Sequence, residues 1–413
     1  MTSTTILNPP PVNITSREFK AQADEFYARL RREAPVYRTL LPDKQTAWIV
    51  SRYDDVAMVL KDERFSKEFR TYFEANPKIK PPRLPRVVQP LARHMLHTDP
   101  PNHTRLRGLV QKAFTPNLVE QLRSRIEVLT DELLQVASKS NSLNLIRQFA
   151  LPIPATIIAE MLGVPVADQH KFHNWSRRML NTSASRFRML RILPSAWRFA
   201  GYIRRLIRVK RKSPTDDLLS GLVLAEENGQ SLSDDELLAM VFLLLIAGHE
   251  TTVNLIGNGM LALLEHPDQL QRLRSEPGLM KSAVEELLRF TSPVETGTER
   301  YCREDVTIAG VTIPRGSLVL AAIASANRDE EHFANSDELD LARDPNKHLA
   351  FGLGAHYCLG APLARLEAQV AFAALLRRTS NIRLAIPREK LRWQRGLVLR
   401  GVEALPLEVI WRD

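Results

Sequence analysis

Residues 351–365 read Phe-Gly-Leu-Gly-Ala-His-Tyr-Cys-Leu-Gly-Ala-Pro-Leu-Ala-Arg, and the rest of the chain is best read outward from them. Pro362 suits a first helical turn, because its missing N–H would be unpaired there anyway. Cys358 therefore lies just before a helix N-terminus, where free backbone N–H groups and the positive end of the dipole favour a thiolate. Gly352, Gly354 and Gly360 keep side chains clear of a flat ligand lying against the backbone. The other cysteine, Cys302, is too distant in sequence for a local metal finger. Two cysteines are too few for a disulfide-stapled secreted protein, so a reducing compartment is expected.

Upstream, Ser233-Asp234-Asp235-Glu236 forms a capping box with acids on the positive end of a helix dipole. The helical pattern runs on to Glu265, just before His266-Pro267, a length of about 48 Å. Leu237 to Ala247 is apolar without interruption, so this helix must pass through the protein interior. The run is too short to cross a bilayer. It turns polar at Ala247-Gly248-His249-Glu250-Thr251-Thr252. A carboxylate in a core needs a partner or a purpose. Gly248 weakens the helix, and Thr251 can bond back to the carbonyl of Ala247, so a small groove beside the helix is predicted.

The chain has 413 residues, 44% hydrophobic and 25% charged, the mixture of a globular protein. Helical periodicity dominates, as from Leu118 to Val136. Strands are few: Thr46 to Val50, a hairpin of Val306 to Ile308 with Val311 to Ile313, and Leu318 to Ala322. Asn76 to Pro90 is proline-rich and reads as a long loop. These features predict one mainly α domain over residues 1–413 with a small β region. The net charge of +10 is local, since Arg177 to Lys212 holds twelve Lys and Arg and no Asp or Glu. Phe199, Ile203, Leu206 and Ile207 form an apolar stripe beneath those charges, so the segment reads as a solvated basic face on an amphipathic helix. Stacking aromatics are sparse and no nucleic-acid motif appears, so no nucleic-acid partner is expected. Met1 to Lys20 has neither a basic n-region nor an apolar h-region, which points to a cytoplasmic protein without a membrane anchor.

The stretch Phe351 to Gly360 resembles the haem-binding loop of the cytochrome P450 family: Phe, two residues, Gly, one residue, Arg or His, one residue, Cys, one residue, Gly. The resemblance makes Cys358 the axial thiolate of the iron in haem b. It implies the P450 fold, with haem between the long central helix and the helix that follows the Cys loop. Ala247 to Thr252 resembles the oxygen-binding groove, with Glu250 as the acid and Thr251 as the hydroxyl that helps deliver protons. Glu286-Leu287-Leu288-Arg289 resembles the structural Glu-x-x-Arg motif, with Arg343 as its third member. The same spacing at Glu120 and Arg123, or Glu389 and Arg392, reads better as surface i, i+3 pairs. Asp99 to Arg107 resembles the segment whose His103 and Arg107 bind the haem propionates, with Arg300 and His356 completing the set.

By the same resemblance, Leu243, Ile246, Ala247, Val294, Thr296 and Thr298 line the substrate cavity, and the loop at Asn76 to Pro90 and the basic helices form its lid. The implied reaction inserts one atom of O2 into an apolar organic substrate. Electrons from NAD(P)H would arrive through a reductase and a separate ferredoxin, docking near Arg365 and Lys112. Two alternatives stand beside it: a peroxide-driven peroxygenase, which generally lacks the acid and threonine pair, and a non-catalytic haem-thiolate sensor, which needs no proton relay.

Overall fold

The computed structural model describes residues 12–81, 89–180, 186–227 and 229–412. Four helices carry the site: α1 (Asn102–Ala113), α2 (Asp234–Glu265), α3 (Met280–Thr291) and α4 (Ala361–Arg378). The capping box forms as the sequence predicts: Ser233 Oγ accepts from the Glu236 N–H, and the Glu236 carboxylate accepts from the Ser233 N–H at 2.9 Å. Among the described residues α2 is the one helix long and apolar enough to cross a membrane. It instead runs through the core, with Leu237, Leu238, Val241, Val253, Leu255 and Ile256 all buried.

Close crossings on α2 depend on its glycines. A Cβ at Gly257 would sit 2.4 Å from Ile146 Cδ1, and one at Gly259 would sit 2.8 Å from Phe372 Cζ of α4. The missing side chain at Gly259 lets α4 pack directly against α2, and the one at Gly257 makes room for Ile146. The Leu118 to Val136 stretch is not one helix but two, Pro116–Gln121 and Arg123–Ala137. Pro116 and the Thr115 cap start a separate short helix, and Leu122, at ψ −14°, opens the ladder between them.

The small β region centres on a five-stranded sheet of β1 (Val36–Leu40), β2 (Thr46–Val50), β3 (Phe65–Ser66), β4 (Arg300–Cys302) and β5 (Leu318–Ala321). Its order is β1-β2-β5-β4-β3, with β2 and β5 parallel. Phe65 pairs with Cys302 and Ser66 with Tyr301, a register that sets Lys67 beside the start of β4. The hairpin of Val306–Ile308 and Val311–Ile313 turns on Ala309 and Gly310, both at positive φ. In the proline-rich loop, residues 82–88 lie outside the described residues, as do residues 181–185 of the basic segment. The helix Arg186–Lys212 buries Phe199, Ile203, Leu206 and Ile207 and turns Arg198, Arg205, Arg208 and Lys212 outward, as the stripe predicts.

Candidate functional site

At the polar turn of α2, Thr251 Oγ1 donates to the Ala247 carbonyl at 2.6 Å. Ala247 is exposed although Leu243, Leu245 and Val253 around it are buried, so space opens beside the helix at this turn. Gly248 contributes differently from the sequence reading. Its missing side chain faces Ile158, whose Cδ1 would lie 2.9 Å from an added Cβ, so it serves packing and not the groove. Glu250 is half-buried, and burial pushes its carboxyl above the ordinary value. Thr252 is buried on the face toward α4. There Glu367 is pushed up to about 8 by burial, an effect the Thr252 hydroxyl offsets only in part. Sequence reading did not single out Glu367, because a Glu in a helix is ordinarily exposed.

The Cys loop is closed by its own backbone: the Cys358 N–H donates to the Phe351 carbonyl at 2.9 Å. Gly352 and Gly354 sit at φ +69° and +71°, which L side chains rarely adopt. A Cβ on Gly354 would also come within 3.3 Å of the Leu60 carbonyl and Lys61 Cα. These two glycines are thus required by the loop's own path. Gly360 lies beside the sulfur, with Cys358 Sγ 3.9 Å from the site of an added Cβ. Burial pushes the Cys358 thiol up, while the backbone N–H groups of Gly360 and Ala361 and the charges of Arg107 and Arg365 oppose it. Cys302 is fully buried on β4 and its thiol is pushed up to about 12.

The four expected propionate ligands converge from three segments. His103, on α1, packs its ring against His356 with centroids 4.1 Å apart. Arg107 follows one turn later on α1, half-buried and electrostatically linked to Cys358. Arg300, on β4, donates through Nη2 to the Leu60 carbonyl at 3.1 Å, and its buried Nε has no partner. His356 is held down to about 2 by burial and by the charges of His103, Lys67 and Arg300. Lys67 belongs to this cluster and was missed by sequence reading. It is 1% exposed, and its Nζ donates to Thr298 Oγ1 and, at 2.8 Å, to the Glu299 carbonyl. A two-residue strand carries too little periodicity to be read, and only its pairing with β4 sets Lys67 beside Arg300. Nearby, Asp99 accepts from Ser66 Oγ, the Lys67 N–H and Arg303. A buried cluster with more cations than anions and an unpaired guanidinium N–H fits an anionic ligand, as the expected haem propionates are.

Of the expected cavity residues, Leu243 is buried and Ile246 half-buried on the same stretch of α2. Val294 is half-buried and bridges to Leu399. The two threonine hydroxyls are engaged within the protein: Thr296 Oγ1 donates to the Leu397 carbonyl at 3.0 Å, and Thr298 Oγ1 accepts from Lys67. Glu286 and Arg289 are both fully buried on α3 and form two hydrogen bonds of 2.8 Å. Arg343 Nε adds a third at 3.1 Å, and Asn346 Nδ2 a fourth at 3.1 Å. The remaining Arg289 donors reach the carbonyls of Asn327, Ser336 and Glu338. Arg365 is bound in place: it donates twice to Glu285 and lies over the Phe351 ring at 4.4 Å. These contacts tie it to the Cys loop, and its side chain stays 29% exposed. Lys112 Nζ donates to the Glu226 carbonyl at 2.7 Å.

The profile of the family described as Cytochrome P450 matches residues 8–382. A protein of Bacillus subtilis (strain 168) described as "Cytochrome P450" is 44% identical over 394 residues, which cover 95% of this chain and 96% of that protein. Among solved structures, the bacillaene polyketide synthase cytochrome P450 PksS of Bacillus subtilis 168 superposes with a TM-score of 0.90 at 40% identity, covering 97% of this chain and 100% of that one. The cytochrome P450BioI, solved in complex with an acyl carrier protein ligated to hexadec-9Z-enoic acid, gives a TM-score of 0.86 at 36% identity over 95% of this chain and 99% of that one.

Proposed function

This chain belongs to the cytochrome P450 family and binds haem b, and from that premise we propose that its 413 residues act as one domain, a cytoplasmic monooxygenase that inserts one atom of O2 into an apolar organic substrate. Bound haem supplies the oxygen activation, and the protein supplies ligand, proton path, dryness and substrate pose. Cys358 is the residue to hold the iron. Lys67, His103, Arg107, Arg300 and His356 are placed for the propionates, while Phe351 and Gly360 shape the loop around the sulfur.

One observation carries the catalytic reading. On a helix otherwise committed to the core, Glu250 and Thr251 stand at the turn where Ala247 opens to space. Burial disfavours the charged form of Glu250 and raises its carboxyl, which suits a group that exchanges a proton within the site. Thr251 is oriented by its bond to Ala247 and can pass that proton on. This pair speaks against both the peroxygenase and the sensor reading, neither of which needs a relay.

Leu243, Ile246 and Ala247 offer burial at about 25 cal/mol per Å² and no hydrogen bonds, which suits a bulky apolar chain. PksS is described as a polyketide synthase enzyme and P450BioI as bound to an acyl carrier protein. An acyl or polyketide chain, free or carrier-borne, is therefore the substrate class proposed here. Electrons would come from NAD(P)H through a ferredoxin and its reductase. The test is turnover of fatty acids and macrolactones with a surrogate ferredoxin pair. Hydroxylated product that depends on reductase and O2 is expected; product formed with peroxide alone would select the peroxygenase.

A further inference from the structure

We propose that the outward face of the helix Arg186–Lys212 is a docking surface for an acidic carrier protein that delivers the substrate. This rests on the acyl or polyketide reading above. The helix lies along the N-terminal half of α2, where Phe199 and Phe242 pack with ring centroids 6.2 Å apart. Arg204 reaches Asp235 at 3.0 Å and Arg211 reaches Asp234 at 2.7 Å, at the start of α2. It thus roofs the stretch of α2 that carries Leu243 and Ile246. Phe242 is ten residues before Thr252, roughly 15 Å along the axis from where α2 meets α4. A partner seated on this roof would be on the substrate side of the site.

The cations on this helix divide into two sets. Arg204, Lys210 and Arg211 are paired with Asp235, Asp217 and Asp234 and hold the helix down. Arg198, Arg205, Arg208 and Lys212 are exposed, and among the described residues no carboxylate forms an ion pair with them. With them lies Trp197, 65% exposed, and one turn on is Gly201, where nothing comes within 4 Å of an added Cβ. Val209 is also half exposed. Residues 197, 201, 205, 208 and 212 share one helical face, so the tryptophan and its notch are framed by Arg205, Arg208 and Lys212, with Arg205 acting on Asp168 only through its field.

Exposed Trp and Arg together are the residues that dominate protein–protein affinity, and a field of one sign steers an oppositely charged partner. Insertion into a membrane would need an apolar face separate from the charges. Among the described residues of this helix, Trp197 and Val209 are the exposed large apolar side chains, and they stand among four cations rather than on a face of their own. The geometry therefore favours an acidic protein. A carrier that tethers its cargo on a flexible arm meets the further requirement of releasing an apolar chain beside the roof of the cavity.

Holoenzyme immobilised on a sensor surface is titrated with a bacterial acyl carrier protein loaded with hexadec-9Z-enoate. Binding is expected at low salt and should weaken steeply as salt rises. Arg205→Glu combined with Arg208→Glu should weaken it roughly tenfold or more, and Trp197→Ala by about tenfold. Free hexadec-9Z-enoic acid should shift the haem absorption band equally in all variants. Carrier binding unchanged by both variants overturns the proposal. So does equal loss of the free acid, which would mean a deformed roof, and so does loss confined to anionic vesicles or an acidic ferredoxin. If the carrier docks here while neither free nor carried acid moves the haem band, the docking surface stands and the acyl reading fails.

Discussion

The imidazole of His103 lies against that of His356, centroids 4.1 Å apart, although one is on α1 and the other two residues before the cysteine of the loop. The contact fixes α1 to the Cys loop and brings Arg107, Arg300 and Lys67 into one electrostatic neighbourhood, seen in their joint pull on His356. A cluster of this sign is unfavourable until an anion joins it. Lys67→Met and Arg300→Leu should each speed haem transfer to apomyoglobin by roughly ten- to a hundredfold, the worth of one charge-assisted hydrogen bond. An unchanged transfer rate with intact circular dichroism would place those donors outside the propionate site.

The two cysteines should behave oppositely. Cys302 is sealed in β4 with its thiol pushed up to about 12, so it should resist alkylation, and Cys302→Ser should keep the red-shifted Soret band of the reduced carbon monoxide complex. Cys358→Ser should lose that band. The reverse pattern in either spectrum would reject Cys358 as the iron ligand.

Removing the hydroxyl or the acid at the open turn of α2 tests the relay. Thr251→Ala should leave O2 and NAD(P)H consumption in place while hydrogen peroxide replaces product. Glu250→Gln should slow turnover by roughly 10² to 10⁴-fold if it supplies the proton. Unchanged coupling in Thr251→Ala would mean that water or substrate delivers protons without the side chain.

Glu367 makes stability depend on pH. Its folded-state value of about 8 lies above the ordinary 4.5, so between these limits the unfolded chain gives up its proton first. Stability from this group is fully present below about pH 4.5 and falls as pH rises toward 8, by up to about 1.4 kcal/mol per pH unit. Glu367→Gln keeps the shape and removes the titration. Urea unfolding between pH 5 and 8 should therefore decline less steeply in the variant, and parallel curves would show that Glu367 does not carry the effect.

Arg289 satisfies five hydrogen bonds with no exposure, two of them to Glu286. Arg289→Ala would take two hydrogen bonds from the buried Glu286 carboxylate, leaving it Arg343 and Asn346, and would free the carbonyls of Asn327, Ser336 and Glu338, a loss of about 3–5 kcal/mol. Arg289→Met with Glu286→Leu should recover part of it in thermal unfolding. A double variant as unstable as the sum of the singles would mean that the carbonyl contacts, and not the ion pair, carry the cost.

Wherever a local rule acts, the sequence by itself determined this protein. The Ser233 cap and the apolar run fixed the span of the central helix. The Thr251 back-bond followed from its spacing to Ala247, and Pro362 marked the helix after the cysteine. Chain-wide contacts decided the rest. Lys67 became part of the site only through a two-residue strand paired to β4, and Gly248 proved to face Ile158. Arg365 pairs with Glu285 while staying partly exposed, and the Thr296 and Thr298 hydroxyls find partners in Leu397 and Lys67. Helix starts and back-bonds involve neighbours within one turn, so their partners are written beside them. The direction in which a buried donor or a missing Cβ points depends on segments from about 80 to more than 200 residues away, and only packing assigns it.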